Sequence, residues 1–308
     1  MTTIIGKKFD LFFIKFPILF PIIYFLILYN FPFLENFLII LTILFLAEPH
    51  FGATWPFFIN KINQQYILDN KFFLIKIPII ILVLCFLGFF LFKNLFLLIF
   101  FGFNIYHVAR QSFGIAKLYS NNPVELKNTE IIIYFWNIIF FFVGFLRFYY
   151  PLITAQNINM LNIAIIIILF LNFIYYLLKF KFTENFLILF TGTIIFYPIC
   201  FVNNPVHAIL MGVTMHYSQY LVLTYKITKN RELEINNKKN NYYFIIMIIF
   251  YSIFMTIFSL SGKINSEFIK NLIVIPITAQ ILHFYLDSRL WKFSESHNRQ
   301  AVLNYLKR

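Results

Sequence analysis

"LENFLIILTILFLAEPHFGATWPFF", residues 34–58, is long and apolar enough to cross a bilayer as one helix, which takes about 20 residues. Its C-terminal half nonetheless carries Glu48, Pro49 and His50 in succession. Polar groups are costly in lipid, so they face a protein interior and often mark a functional site. The stretch therefore reads as a membrane helix with one face turned inward. What His50 meets there depends on the rest of the chain.

Composition extends the same class to the whole molecule. Hydrophobic residues make up 61% of the 308, and mean hydropathy is +0.79, whereas soluble domains are about half apolar. Cys85 and Cys200 lie in apolar runs without metal or disulfide spacing. The 45 phenylalanines accompany abundant Ile, Asn and Lys, which points to compositional bias rather than an aromatic ligand cage. The basic start "MTTIIGKK" leads into an apolar stretch too long for a signal-peptide core. That stretch holds Lys15 and lacks a small-residue cleavage site, so it reads as a retained first membrane helix.

The chain reads as all-α, a polytopic helical bundle with about ten spans. They fall near 9–29, 34–58, 73–92, 95–118, 130–150, 158–179, 185–202, 206–226, 242–260 and 267–290. Short polar breaks such as "SNNPVELKN" and "KITKNRELEINNKKNN" separate them, and no repeat stands out. One transmembrane domain over residues 1–308 is expected, with a short basic cytoplasmic tail from about residue 291.

Charge sets an expected orientation. With the N-terminus cytoplasmic, eighteen Lys and Arg fall in cytoplasmic segments, among them Lys7, Lys8, Lys181, Lys238, Lys239 and Arg308. The opposite side holds Lys93, Arg147, Lys263 and Lys270. This positive-inside bias predicts an integral protein of a bacterial inner membrane with both termini cytoplasmic. It also explains most of the net charge of +13, which removes the main support for a nucleic-acid partner.

His50, His107, His216 and His283 all fall in even-numbered spans, each in the C-terminal half, and so reach a similar depth from one side. His207, near a span end, and His297, in the tail, read as surface or interfacial residues. A lone buried histidine is normally a hydrogen-bonded helix contact. Four at one depth each need a partner in an apolar interior, and one divalent ion satisfies them all. Imidazole suits Fe, Zn, Cu or Ni. With metal–nitrogen bonds of roughly 2 Å, the four rings are expected to converge within about 5 Å of one point.

One turn after each histidine stands a hydrogen-bonding group, namely Thr54, Gln111, Tyr220 and Asp287. Residues at i and i+4 share a helix face, and ligating histidines commonly pass their other ring proton to such neighbours. Asn104 and Gln280 stand one turn earlier, and Arg110 and Gln219 lie on the same helices. A water-lined cavity without an ion is the plainer reading of the same pattern. Other constellations are missing: there is no GxSxG, no phosphate-cradling glycine loop and no HExxH. The HxxxH and HxxHH boxes of membrane desaturases are also missing, and their two-iron chemistry needs more than the six histidines present.

Together, "EPHFG" (48–52), "YHVARQSFG" (106–114), "MHYSQY" (215–220) and "LHFYLD" (282–287) resemble motifs of the Brp/Blh family of integral-membrane β-carotene 15,15'-dioxygenases. The resemblance rests on short motifs across roughly residues 45–290. It implies Fe(II), held mainly by histidines, that activates O2 to split the central double bond of a carotenoid into retinal. His50, His107 and His216 correspond by motif to iron ligands. His283 corresponds to the histidine of the family's PHxxxxD segment, with Asp287 near its acidic residue. Two positions depart. Tyr220 stands where HxxxH has its second histidine, and Trp55 lies close to the place of an aspartate that follows the PHG motif. Either His283 replaces the lost ligand or the substrate differs. Tyr220, Asp287 and Gln111 are the candidate catalytic residues beside this metal.

Three functions then compete. The first is an iron oxygenase acting on an apolar polyene that enters from the bilayer. The second is another metal-dependent lipid hydroxylase or desaturase. The third is a transporter whose histidines bind or relay a proton or metal. Transporters favour carboxylates in the membrane core and internal repeats. Here only Glu48 and Asp287 stand out, so an enzyme is expected.

Overall fold

The computed structural model describes residues 3–120, 122–150, 155–180, 183–236, 241–263 and 266–307. Lys181, Lys238, Lys239 and Arg308, part of the charge pattern above, lie outside them. Among the described residues every regular element is helical, which bears out the all-α class. Helices α1 (Lys7–Lys15) and α2 (Leu19–Asn30) form a pair bent by 56°. Then follow α3 (Pro32–Phe58), α4 (Lys61–Asp69), α5 (Phe72–Leu91), α6 (Lys93–Tyr119), α7 (Pro123–Phe148) and α8 (Ala155–Phe180). The series ends with α9 (Glu184–Ile194), α10 (Pro205–Asn236), α11 (Tyr242–Leu260), α12 (Glu267–Leu290) and a last helical segment, α13, over 296–307.

Local chemistry sets several starts. Asn122 caps α7 by accepting from the Val124 and Glu125 amides, with Pro123 at the first position, where no N–H is needed. Asn60 and Thr183 cap α4 and α9 in the same way.

Among the described residues six helices are long and apolar enough to cross a membrane: α3, α5, α7, α8, α11 and α12. The bent α1–α2 pair makes a seventh if it counts as one span. These helices mark a membrane protein. On α8 only 11% of the most apolar window is buried, and Ile167, Ile168, Phe170 and Leu171 face outward, as lipid-facing residues would. The count is smaller than ten for physical reasons. α6 and α10 are long, but Asn104, His107, Arg110 and Gln111 on one, and His207, His216 and Gln219 on the other, dilute their apolar character. Residues 185–202 do not form one helix, because α9 ends at Ile194 and the chain turns into a 3-10 segment at Tyr197–Cys200.

The sequence reads as one domain, whereas the helices group into two compact units, each assembled from separated stretches. One is Met1–Ile39 with Phe101–Gln219, the other Ile40–Phe100 with Tyr220–Arg308.

In the first unit α7 packs on α9, and Asn137 donates to the Ile133 and Gly192 carbonyls at 2.7 and 2.9 Å. α1 stops before Pro17, which cannot continue a helix. The carbonyls this leaves open find side-chain donors: Ser218 to Phe13 (3.2 Å), Gln219 to Ile14 (2.7 Å) and Thr191 to Lys15 (2.9 Å). The buried Asp10 carboxylate accepts from the Ile4, Ile5 and Gly6 amides and from the Tyr119 hydroxyl. The buried Lys15 pairs with Glu184 and lies over the Tyr119 ring.

In the second unit α3 packs on α11 and α12, and α5 packs on α12. A Cβ at Gly52 would come 2.7 Å from the Tyr251 ring, so glycine is what permits the close approach of α11. Cys85, Phe89, Phe96, Val274, Ile277 and Ile281 form a shared apolar core. The C-terminal residues, expected as a basic tail, are helical over 296–307 and packed. The buried Arg231 donates to the Ala301 carbonyl through Nε (3.1 Å) and Nη2 (2.6 Å), and to the Phe57 carbonyl through Nη1 (2.9 Å). Ala301, Val302 and Leu306 are buried.

Candidate metal centre

Pro49 has no N–H to offer a carbonyl one turn back. Immediately before it, α3 widens into a π-turn over Ile43–Ala47, which the Glu48 amide closes by donating to the Ile43 carbonyl. The adjacent Glu48 side chain is buried and accepts from the Ser259 hydroxyl at 2.8 Å. His50 follows, fully buried.

Within the second unit, the His50 ring lies 4.6 Å from that of His283 and 4.5 Å from that of Tyr220, centroid to centroid. Tyr220 donates to Asp287 at 2.7 Å. Thr54 Oγ1 stands 2.8 Å from the Tyr220 hydroxyl and 2.5 Å from His283 Nδ1. Within the first unit, the His107 and His216 rings are perpendicular, their centroids 5.2 Å apart. All four histidines are buried. His50 and His283 thus pair within the second unit, and His107 and His216 within the first. Buried imidazoles of this kind suit a divalent metal ion.

Four converging rings were the expectation. Two buried pairs are found, one in each unit: His50 with His283 and His107 with His216. The partners one turn along each helix do not serve their own histidines as the i,i+4 spacing suggests. Thr54 serves His283 instead of His50. Asp287 accepts from Tyr220, and its other oxygen stands 3.7 Å from His283 Nε2, beyond hydrogen-bond reach. The reason is geometric: side chains stacked on one helix face point toward a neighbouring helix rather than along their own axis. Tyr220 and Asp287 thus enter one network. The Gln111 side-chain oxygen has no hydrogen-bond partner among the described residues, as does Asn104 Oδ1.

Two other readings change. Gln219 satisfies the end of α1, a role set by the break at Pro17. His207, read as a surface or interfacial residue, is buried with both ring nitrogens served: Tyr24 bonds Nδ1 at 2.7 Å and Glu35 bonds Nε2 at 3.1 Å. Sequence alone missed this Tyr24–His207–Glu35 chain, since its members lie far apart and form no motif. His297 stacks on Tyr66, with ring centroids 4.2 Å apart, and its Nε2 bonds Asn63 at 3.0 Å. No family model matches the chain, and no curated protein or solved structure matches it either.

Proposed function

We propose that this protein is a membrane-embedded, non-haem iron oxygenase that uses O2 to cleave a carotenoid such as β-carotene, yielding retinal. The single observation behind it is the buried pair of imidazoles in the second unit, His50 and His283, ring centroids 4.6 Å apart, beside the Tyr220–Asp287–Thr54 network. The donor type fits iron: neutral imidazoles are good ligands for Fe(II), and a histidine-only set leaves coordination positions for O2 and substrate. Iron bound there would supply the activation of O2. The chain's own residues supply the rest. Burial of the histidines excludes bulk water, and Tyr220, Asp287 and Thr54 order the protons beside His283. The apolar helices offer a polyene a route from the bilayer. Both termini cytoplasmic, in a bacterial inner membrane, is the arrangement that the lysine pattern favours.

Tyr220 favours a second reading. Its hydroxyl is engaged by Asp287 and Thr54, at the position where the resembled family carries a further histidine. A divergent metal-dependent hydroxylase or desaturase acting on another lipid would tolerate that change.

Expression in carotenoid-accumulating cells tests both readings. Bleaching with release of retinal, one iron per purified chain, and loss of most of that iron in His107→Ala are expected. Iron without bleaching moves the substrate to another lipid. No iron in the wild type, or unchanged iron in His107→Ala, sinks the oxygenase and leaves a histidine-based transporter.

A further inference from the structure

Three hydrogen bonds in the second unit run in single file. Tyr220 donates its hydroxyl proton to Asp287 Oδ1 at 2.7 Å. The Tyr220 and Thr54 oxygens stand 2.8 Å apart, and Thr54 Oγ1 stands 2.5 Å from His283 Nδ1. Each hydroxyl brings one proton. The tyrosine proton is committed to the carboxylate, so the bond between the two hydroxyls must use the threonine proton. Thr54 then has only lone pairs left for His283, and that contact is a hydrogen bond only if Nδ1 carries a proton. In the reverse order, with Thr54 donating to Nδ1, two oxygens would face each other at 2.8 Å with no proton between them.

We infer that Thr54, Tyr220 and Asp287 act as positioning residues that fix His283 as the tautomer protonated on Nδ1, with the lone pair presented at Nε2. Asp287 sets the direction, because its acceptor oxygen ends the file. A second distance agrees. Nε2 lies 3.7 Å from Asp287 Oδ2, too far to share a proton, so two acceptors face each other across a gap. Such an arrangement favours a cation nearby. The inference deepens the metal reading proposed above and takes its purpose from it: an imidazole ligates through its unprotonated nitrogen while a neighbour holds the other proton. Thr54 lies on α3, Tyr220 on α10, and His283 and Asp287 on α12, so residues from three helices, all four within the second unit, set one ring's proton.

Histidine-selective nitrogen-15 labelling of the metal-free wild type tests this, with the His283 signals assigned by their loss in His283→Gln. An unprotonated ring nitrogen resonates far from a protonated one, and in an imidazolium the two become alike. The Nδ1-protonated neutral form is expected. Thr54→Val keeps the shape and removes the hydroxyl. It should release the tautomer preference and weaken Co(II) binding about tenfold or more, while Thr54→Ser keeps both. An Nε2-protonated ring or an imidazolium in the wild type overturns the inference, as does an unchanged tautomer in Thr54→Val. A wild type with the expected tautomer that binds no Co(II) supports the inference and removes the metal reading, so the two failures are distinguishable.

Discussion

Tyr220 is fully buried, and its hydroxyl is an inner link of a four-member chain rather than a free phenol pointing at a vacant position. Substitution there acts first on proton order. Tyr220→Phe removes the donor to Asp287 and leaves a buried carboxylate oxygen short of a partner, which costs about 1–3 kcal/mol. Thermal unfolding of the purified variant should show that loss. A melting temperature equal to that of the wild type would mean the chain contributes nothing to stability. The sequence made the candidates legible as residue types: four histidines, each with a polar neighbour one turn on. It did not show which neighbour serves which ring. Helical spacing reports a shared face, while the hydrogen bond is chosen by the helix across from it.

At the scale of the element, α1 and α3 show how a proline is accommodated in two ways. Pro49 is preceded by a π-turn that lets α3 continue, whereas Pro17 ends α1 and leaves carbonyls that Ser218, Gln219 and Thr191 must satisfy. Gln219 therefore separates a site role from a scaffold role. Gln219→Leu should lower stability by about 1–3 kcal/mol, the cost of one buried unsatisfied carbonyl, and leave iron content unchanged. Iron lost at unchanged stability would return Gln219 to the metal's surroundings. The six strongly apolar helices were legible from hydropathy alone, since apolar length is a local property. The fate of α6 and α10 was not, because their polar residues mix with apolar ones and length does not decide orientation.

At the scale of the whole molecule, the C-terminal residues are held by Arg231 on the Ala301 and Phe57 carbonyls, and by His297 stacked on Tyr66. Burial, and then the nearby Arg231 charge, hold the His297 pKa below the ordinary value. The Tyr66 hydrogen bond is the main cause holding Glu295 low. In both cases the unfolded chain binds its proton more readily than the folded one. The neutral ring thus favours the folded state above pH ~6.5, and that contribution fades as pH falls. The Glu295 contribution is lost at still lower pH, toward ~4.3. Both groups are only partly buried, so the effect should be modest. Proteolysis of the C-terminus should quicken between pH 7.5 and 5.5, and His297→Gln should flatten that dependence. A wild type equally resistant across this range would show that His297 has no part in docking the segment.

The sequence by itself determined the all-helical class, the membrane character and the residue types of a histidine site, because hydropathy and residue chemistry are properties of each segment taken alone. Only the tertiary structure decided that His50 pairs with His283, that Thr54 serves His283, and that His207 and the C-terminal segment are packed. Those outcomes depend on contacts between residues far apart along the chain, made where one helix crosses another, and no local pattern records them.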